Sequence, residues 1–122
     1  SFEKLLDVFW RNTDPLTANA QFCDSGSQYR SAIFYHDEAQ KNLAEASKKR
    51  LQSRFKQPIV TEIVPLDRFS KAEDYHQDYL TLHPNQPYIV FNDIPKIENL
   101  KKIFADSYIE KPTLVSNAKA TN

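Results

Sequence analysis

The chain has 122 residues, 40% of them hydrophobic, and its 16 Lys and Arg are balanced by 16 Asp and Glu. That is one domain's length, and it carries neither the basic footprint of a nucleic-acid binder nor a polybasic membrane surface. The single glycine, where average usage gives roughly eight or nine, excludes glycine-rich phosphate loops, and the lone Cys23 excludes a disulfide framework, a CxxC pair and a multi-cysteine zinc site.

Residues 1–12 place Phe2, Leu5, Leu6, Phe9 and Trp10 at the spacing of an amphipathic helix, with Ser1 as its N-cap. Pro15 disfavours helix at Asp14 and stops it. A polar, irregular stretch over 16–28 holds Gly26. Residues 30–35, RSAIFY, read as a buried strand. His36 and Asp37 cap a second helix over about 38–52, with an inner face of Ala39, Leu43, Ala46 and Leu51. Residues 59–64, IVTEIV, read as a second strand closed by Pro65. A short helix is expected over 72–80, with His76 and Tyr79 sharing a face at i, i+3. His83 to Pro87 form a loop, and 88–91 read as a short strand or extended arm. A further helix over 95–104 has Pro95 near its first position and Asp93 near its cap. Residues 110–122 turn polar and are expected to be a loosely held tail.

Helices and strands in this order predict an α+β layered protein. Two strands are few for four amphipathic helices, because a two-stranded sheet is marginal on its own. The chain also contains no Met, and the expectation is that it is the later part of a longer domain. No apolar run approaches the roughly eighteen residues of a membrane span, and no signal-peptide pattern is present. A soluble, cytoplasmic setting is expected, without membrane or nucleic-acid partners.

The segment 19–35, NAQFCDSGSQYRSAIFY, sets Asp24, Gly26, Gln28, Tyr29 and Arg30 on a loop directly before a strand, where a rigid element can hold functional groups. Asp24 also reads as a turn residue, Tyr29 as a core-edge tyrosine and His76 as a structural histidine. His36 and His83 read as surface or cap residues, and three unclustered histidines give no metal site. The acid pairs 37/38 and 73/74 read as charges at helix N-termini, not as a glycosidase pair.

The strings LLDVFWRNTDP, NAQFCDSGSQYRSAIFYHDEAQ, PIVTEIVPL and AEDYHQDYL, in this order and spacing, resemble the peptide methionine sulfoxide reductases of the A type, specific for the S epimer. The resemblance covers residues 1 to about 108. The ending QPYIVFNDIPKIENLKKIF is similar to a subgroup without recycling cysteines. The fold implied is a ferredoxin-like two-layer α+β sandwich, with residues 1–109 as the C-terminal part of one domain.

The chemistry implied is attack of a cysteine thiolate on the sulfoxide sulfur, while hydroxyl donors hold the oxygen and a carboxylic acid protonates it. Methionine leaves, and a sulfenic acid remains for thioredoxin or another dithiol to reduce. No metal or organic cofactor is implied. The family's nucleophile sits in a Gly-Cys-Phe-Trp motif that this sequence lacks, since Phe9-Trp10 has no cysteine before it. The catalytic glutamate would likewise lie upstream.

The resemblance makes Tyr29 a donor to the sulfoxide oxygen, Asp24 a pocket aspartate, and His76 and Tyr79 pocket-wall residues. Cys23 does not match the nucleophile position, and adjacent Asp24 disfavours its thiolate. Its readings are a passive residue, a resolving thiol or an alternative nucleophile. The expected function is reduction of methionine S-sulfoxide, free or in proteins, with this chain inactive by itself. The alternatives are a non-enzymatic domain that binds oxidised methionine or a partner chain, and one half of a split reductase.

Overall fold

A computed structural model describes residues 1–115. They fall into two compact units, Ser1–Phe69 and the residues from Ser70 onward. The expected polar tail lies outside the described residues from position 116 on.

In the first unit, α1 spans Phe2–Asn12, and the Ser1 hydroxyl accepts from the Lys4 N–H at 3.2 Å. One face of α1 delivers buried Leu6, with Phe2, Phe9 and Trp10 packed around it. Leu5, expected on that face, is 66% exposed, because one 100° step from Leu6 puts it on the margin of the stripe. A two-residue strand β1 (Ala20–Gln21) turns back as β2 (Asp24–Ser25), a hairpin inside the stretch expected to be irregular. β3 follows at Ala32–Tyr35, α2 at Glu38–Gln52 and β4 at Glu62–Pro65.

The strands β3 and β4 pair in parallel, with Ile33 opposite Ile63 and Phe34 opposite Val64. A parallel pair needs a crossover, and α2 supplies it. α2 packs on both strands and on α1, so the unit has a helix layer on a small sheet. Buried Leu6, Ile33 and Ala44 form its core. Full burial of a Leu or Ile stabilises by about 1.5–3 kcal/mol.

Both expected strands start late, and hydrogen bonds explain why. The Arg30 N–H goes to the Ser27 carbonyl at 3.3 Å, closing a turn instead of entering the ladder. The Val60 N–H goes to the Pro15 carbonyl at 2.8 Å, and the ladder begins with the Glu62 N–H on the Ser31 carbonyl at 3.2 Å. Thr61, fully buried, pairs its hydroxyl with that of Ser31 at 2.8 Å, and its carbonyl accepts from Lys48 Nζ at 2.8 Å.

The bounds of α2 are those expected, and Asp37 caps it by accepting from the Gln40 N–H at 2.8 Å. Its inner face differs: Ala39 and Ala46 are exposed, while Ala44 and Ser47 are buried. A serine can take the core position because both roles of its hydroxyl are filled. It accepts from the Trp10 indole at 2.9 Å and donates to the Ala44 carbonyl at 2.8 Å.

The second unit is helical. The single helix expected over 72–80 is instead a 3-10 turn, Asp74–His76, followed by extended Gln77, left-handed Asp78 (φ 56°) and the one-turn helix α3, Tyr79–Leu82. His76 and Tyr79 therefore do not share a helix face. The expected strand or arm at 88–91 is helical as well. A π turn over Ile89–Asp93 runs straight into α4, Ile94–Ile103, with Pro95 in its first turn. Pro95 has no N–H for the Phe91 carbonyl and its ring crowds that carbonyl, so the wider π turn before it removes the conflict. Among its described residues, Ile89 and Phe104 are the buried ones.

Candidate functional site

The loop between α1 and β3 is tied down at several points. The Gly26 N–H donates to the Asn19 carbonyl at 2.8 Å and closes the β1–β2 hairpin, whose tip is Phe22 and Cys23. Three loop residues have positive φ: Asn19 (54°), Phe22 (53°) and Gly26 (140°). At Gly26 that conformation requires glycine, and a Cβ there would also run into the Gln28 side chain.

The hairpin is anchored to the chain leaving α1 by a two-way amide clasp. Gln21 Oε1 accepts from the Asp14 N–H at 3.0 Å, and Gln21 Nε2 donates to the Asp14 carbonyl at 2.9 Å. The Asp14 carboxylate accepts from the Thr17 side chain and from the Leu16 N–H, and these bonds hold its pKa below the ordinary value.

After Gly26 the chain makes a 3-10 turn over Ser27–Tyr29, and both hairpin strands pack against it. The loop thus folds back and brings the segments carrying Asp24 and Tyr29 together. Arg30 locks the far side: its Nη1 donates to the Ser27 carbonyl at 2.7 Å, and its Nε lies 3.5 Å from Glu62 Oε2 on β4. Asp24 is half-buried. Tyr29 is 41% exposed, and no described residue hydrogen-bonds its phenol. Cys23 is exposed at the hairpin tip.

His76 and Tyr79 belong to the second unit. His76 lies with its Nε2 3.7 Å from Glu73 Oε2, and its ring is tilted against Tyr75 at 4.1 Å between centroids. Tyr79 is half-buried and stacks on His83 at 4.3 Å, and its carbonyl lies 3.1 Å from His83 Nδ1. Among the described residues no group of three His, Cys, Asp or Glu could hold a metal ion. No helix there is long and apolar enough to cross a membrane.

Sequence reasoning missed the supports of the loop: Gln21 with Asp14, and Arg30 with Glu62. A glutamine carries no motif, and its partners lie seven residues back in the chain. It also missed a concavity of about 610 Å³ between α1 and α2, lined by Trp10, Arg50 and Arg54 among others.

Chemically, the loop offers a phenol donor and a carboxylate on neighbouring segments of a braced turn. A phenol O–H suits an oxygen that gains negative charge during reaction. The family model for peptide methionine sulfoxide reductase matches residues 1–108. The chain is 45% identical over 121 residues to peptide methionine sulfoxide reductase MsrA 2 of Mesorhizobium japonicum, covering 97% of this chain and 62% of that one. It is 53% identical over 85 residues to MsrA of Bacillus subtilis, covering 68% of this chain and 48% of that one. Among solved structures it resembles reduced Mxr1 of Saccharomyces cerevisiae, with TM-score 0.64 and 40% identity over 68% of this chain and 46% of that one. Methionine sulfoxide reductase A of Corynebacterium diphtheriae gives TM-score 0.57 and 32% identity, again over 68% of this chain and 45% of that one. The chain therefore spans about half to two-thirds of the length of these relatives. The match over nearly all of its described residues and the shared α+β architecture establish that this chain belongs to the peptide methionine sulfoxide reductase family.

Proposed function

We propose that the chain supplies the oxygen-holding part of a methionine S-sulfoxide reductase site, within one reductase domain of which residues 1–109 form a part. The observation that carries this reading is the uncommitted Tyr29 phenol on a turn braced by the β1–β2 hairpin and by Arg30. Tyr29 donates to the sulfoxide oxygen. Asp24 orients that donor or a water beside it.

The bond-making step in this reading is attack of a cysteine thiolate on the sulfoxide sulfur. The oxygen is protonated and passes to the cysteine sulfur as the substrate's sulfur–oxygen bond and the new sulfur–sulfur bond break, so the thioether leaves and the cysteine remains as a sulfenic acid. A dithiol such as thioredoxin then reduces the sulfenic acid, giving water and a disulfide. In this reading the nucleophile is not Cys23, which sits at the exposed tip of the β1–β2 hairpin. The reaction needs no metal or organic cofactor, and the working compartment is a reducing cytoplasm.

Single-turnover reduction of a methionine S-sulfoxide peptide with excess dithiol tests this division of roles. The expected result is no thioether from the chain or from Cys23→Ser. Thioether formed by the chain and abolished by Cys23→Ser would make Cys23 the nucleophile and overturn the proposal.

A further inference from the structure

The concavity between α1 and α2 has an unusual charge balance. Arg50 and Arg54, four residues apart, line one side, and α1 contributes Arg11 and Lys4 but also Glu3 and Asp7. Exposed opposite charges on neighbouring helices gain only about 0–1 kcal/mol by pairing. Here, among the described residues, no ion pair within 4.0 Å includes Arg11, Arg50, Arg54, Glu3 or Asp7. The volume of about 610 Å³ is in the range of small-molecule sites, roughly 300–1,000 Å³. Trp10 also lines it, with the indole N–H already given to Ser47, so the remainder of the ring offers apolar surface beside the charges.

We propose that this cleft binds a small multivalent oxyanion, a polycarboxylate or a phosphate. Guanidinium groups are weakly hydrated planar forks that match both oxyanions in two-point contact. The carbonyl end of α2 opposes an anion by only about half a charge. Three guanidiniums, Arg11, Arg50 and Arg54, against two carboxylates and that half charge leave the cleft net positive. Glu3 and Asp7 oppose any anion there, so binding favours a ligand that engages more than one arginine. The cleft shares no residue with the loop that carries Asp24 and Tyr29.

The chain's single tryptophan lines the cleft, so its fluorescence responds to changes there and in the adjoining helix contact. The experiment titrates the full chain with citrate and with inorganic phosphate, at ionic strength held constant with sodium chloride. The expected result is a saturable change with at least one of the two, and the stronger binder identifies the oxyanion class. Arg50→Gln with Arg54→Gln weakens binding about tenfold or more, and Glu3→Gln with Asp7→Asn strengthens it severalfold. Far-UV circular dichroism establishes that each variant is folded. If the arginine pair fails to fold, the acidic pair still decides, because its effect has the opposite sign. A response matched by chloride, or one that neither pair of substitutions changes, overturns the proposal.

Discussion

The indole Nε1 of Trp10 on α1 donates to Ser47 Oγ on α2 at 2.9 Å, and Ser47 Oγ in turn donates to the Ala44 carbonyl at 2.8 Å. This relay is how a polar residue occupies the middle of the helix–helix contact. Ser47→Ala removes the acceptor and leaves the indole N–H without a partner in a largely buried setting. The expected loss is about 1–3 kcal/mol, read as a lower urea midpoint with an unchanged m-value. A midpoint equal to that of the parent chain would show that water replaces the serine at no cost.

Gly26 has φ 140°, and its N–H closes the β1–β2 hairpin on Asn19. Gly26→Ala meets both an unfavourable backbone region and the Gln28 side chain. Destabilisation on the order of 1–3 kcal/mol is expected. Amide exchange checks it locally: protection falls at Gly26 and Tyr29, whose N–H groups bond within this loop, while α2 keeps its pattern.

Hydrogen bonds hold the Asp14 carboxyl below the ordinary carboxylate pKa, first the bond from the Thr17 side chain. A lowered folded-state pKa stabilises the fold above the unfolded value, and that contribution is lost as pH falls through the folded value. Asp14→Asn should therefore lower stability at neutral pH, and the gap to the parent chain should shrink as pH falls through the acid range where the carboxylate protonates. Urea midpoints of the two proteins measured at stepped pH check this. A gap that stays constant in acid would mean that the carboxylate's charge is not what the turn uses.

Much of the first unit was legible because its signals are local. Ser1 and Asp37 are caps whose partners lie three residues ahead, and the bounds of α2 followed from them. The inner face of α2 was misplaced because apolar residues alone point to Ala39 and Ala46, whereas Ser47 becomes a core residue only once Trp10 arrives from another helix. The strand starts were read early because the N–H groups of Arg30 and Val60 are taken by a turn and by Pro15. In the second unit the left-handed Asp78 breaks a pattern that reads as one helix, and the Asp78 carboxylate accepts from the Val115 N–H, 37 residues away. No local signal could announce that. At the candidate site, residue types marked Asp24 and Tyr29 as worth attention, but the resemblance supplied their roles. The clasp between Gln21 and Asp14 that holds their loop was visible only in three dimensions.

The most direct test of the oxygen-holding role is a binding titration followed by backbone amide resonances. The ligand is a short peptide containing methionine S-sulfoxide, with the methionine and R-sulfoxide peptides as controls. The account predicts that amides from Asp24 to Arg30 move with the S-sulfoxide and not with methionine. It also predicts that Tyr29→Phe weakens binding about five- to tenfold, the worth of one hydrogen bond. Equal shifts with methionine and its S-sulfoxide, or binding unchanged in Tyr29→Phe, would contradict it.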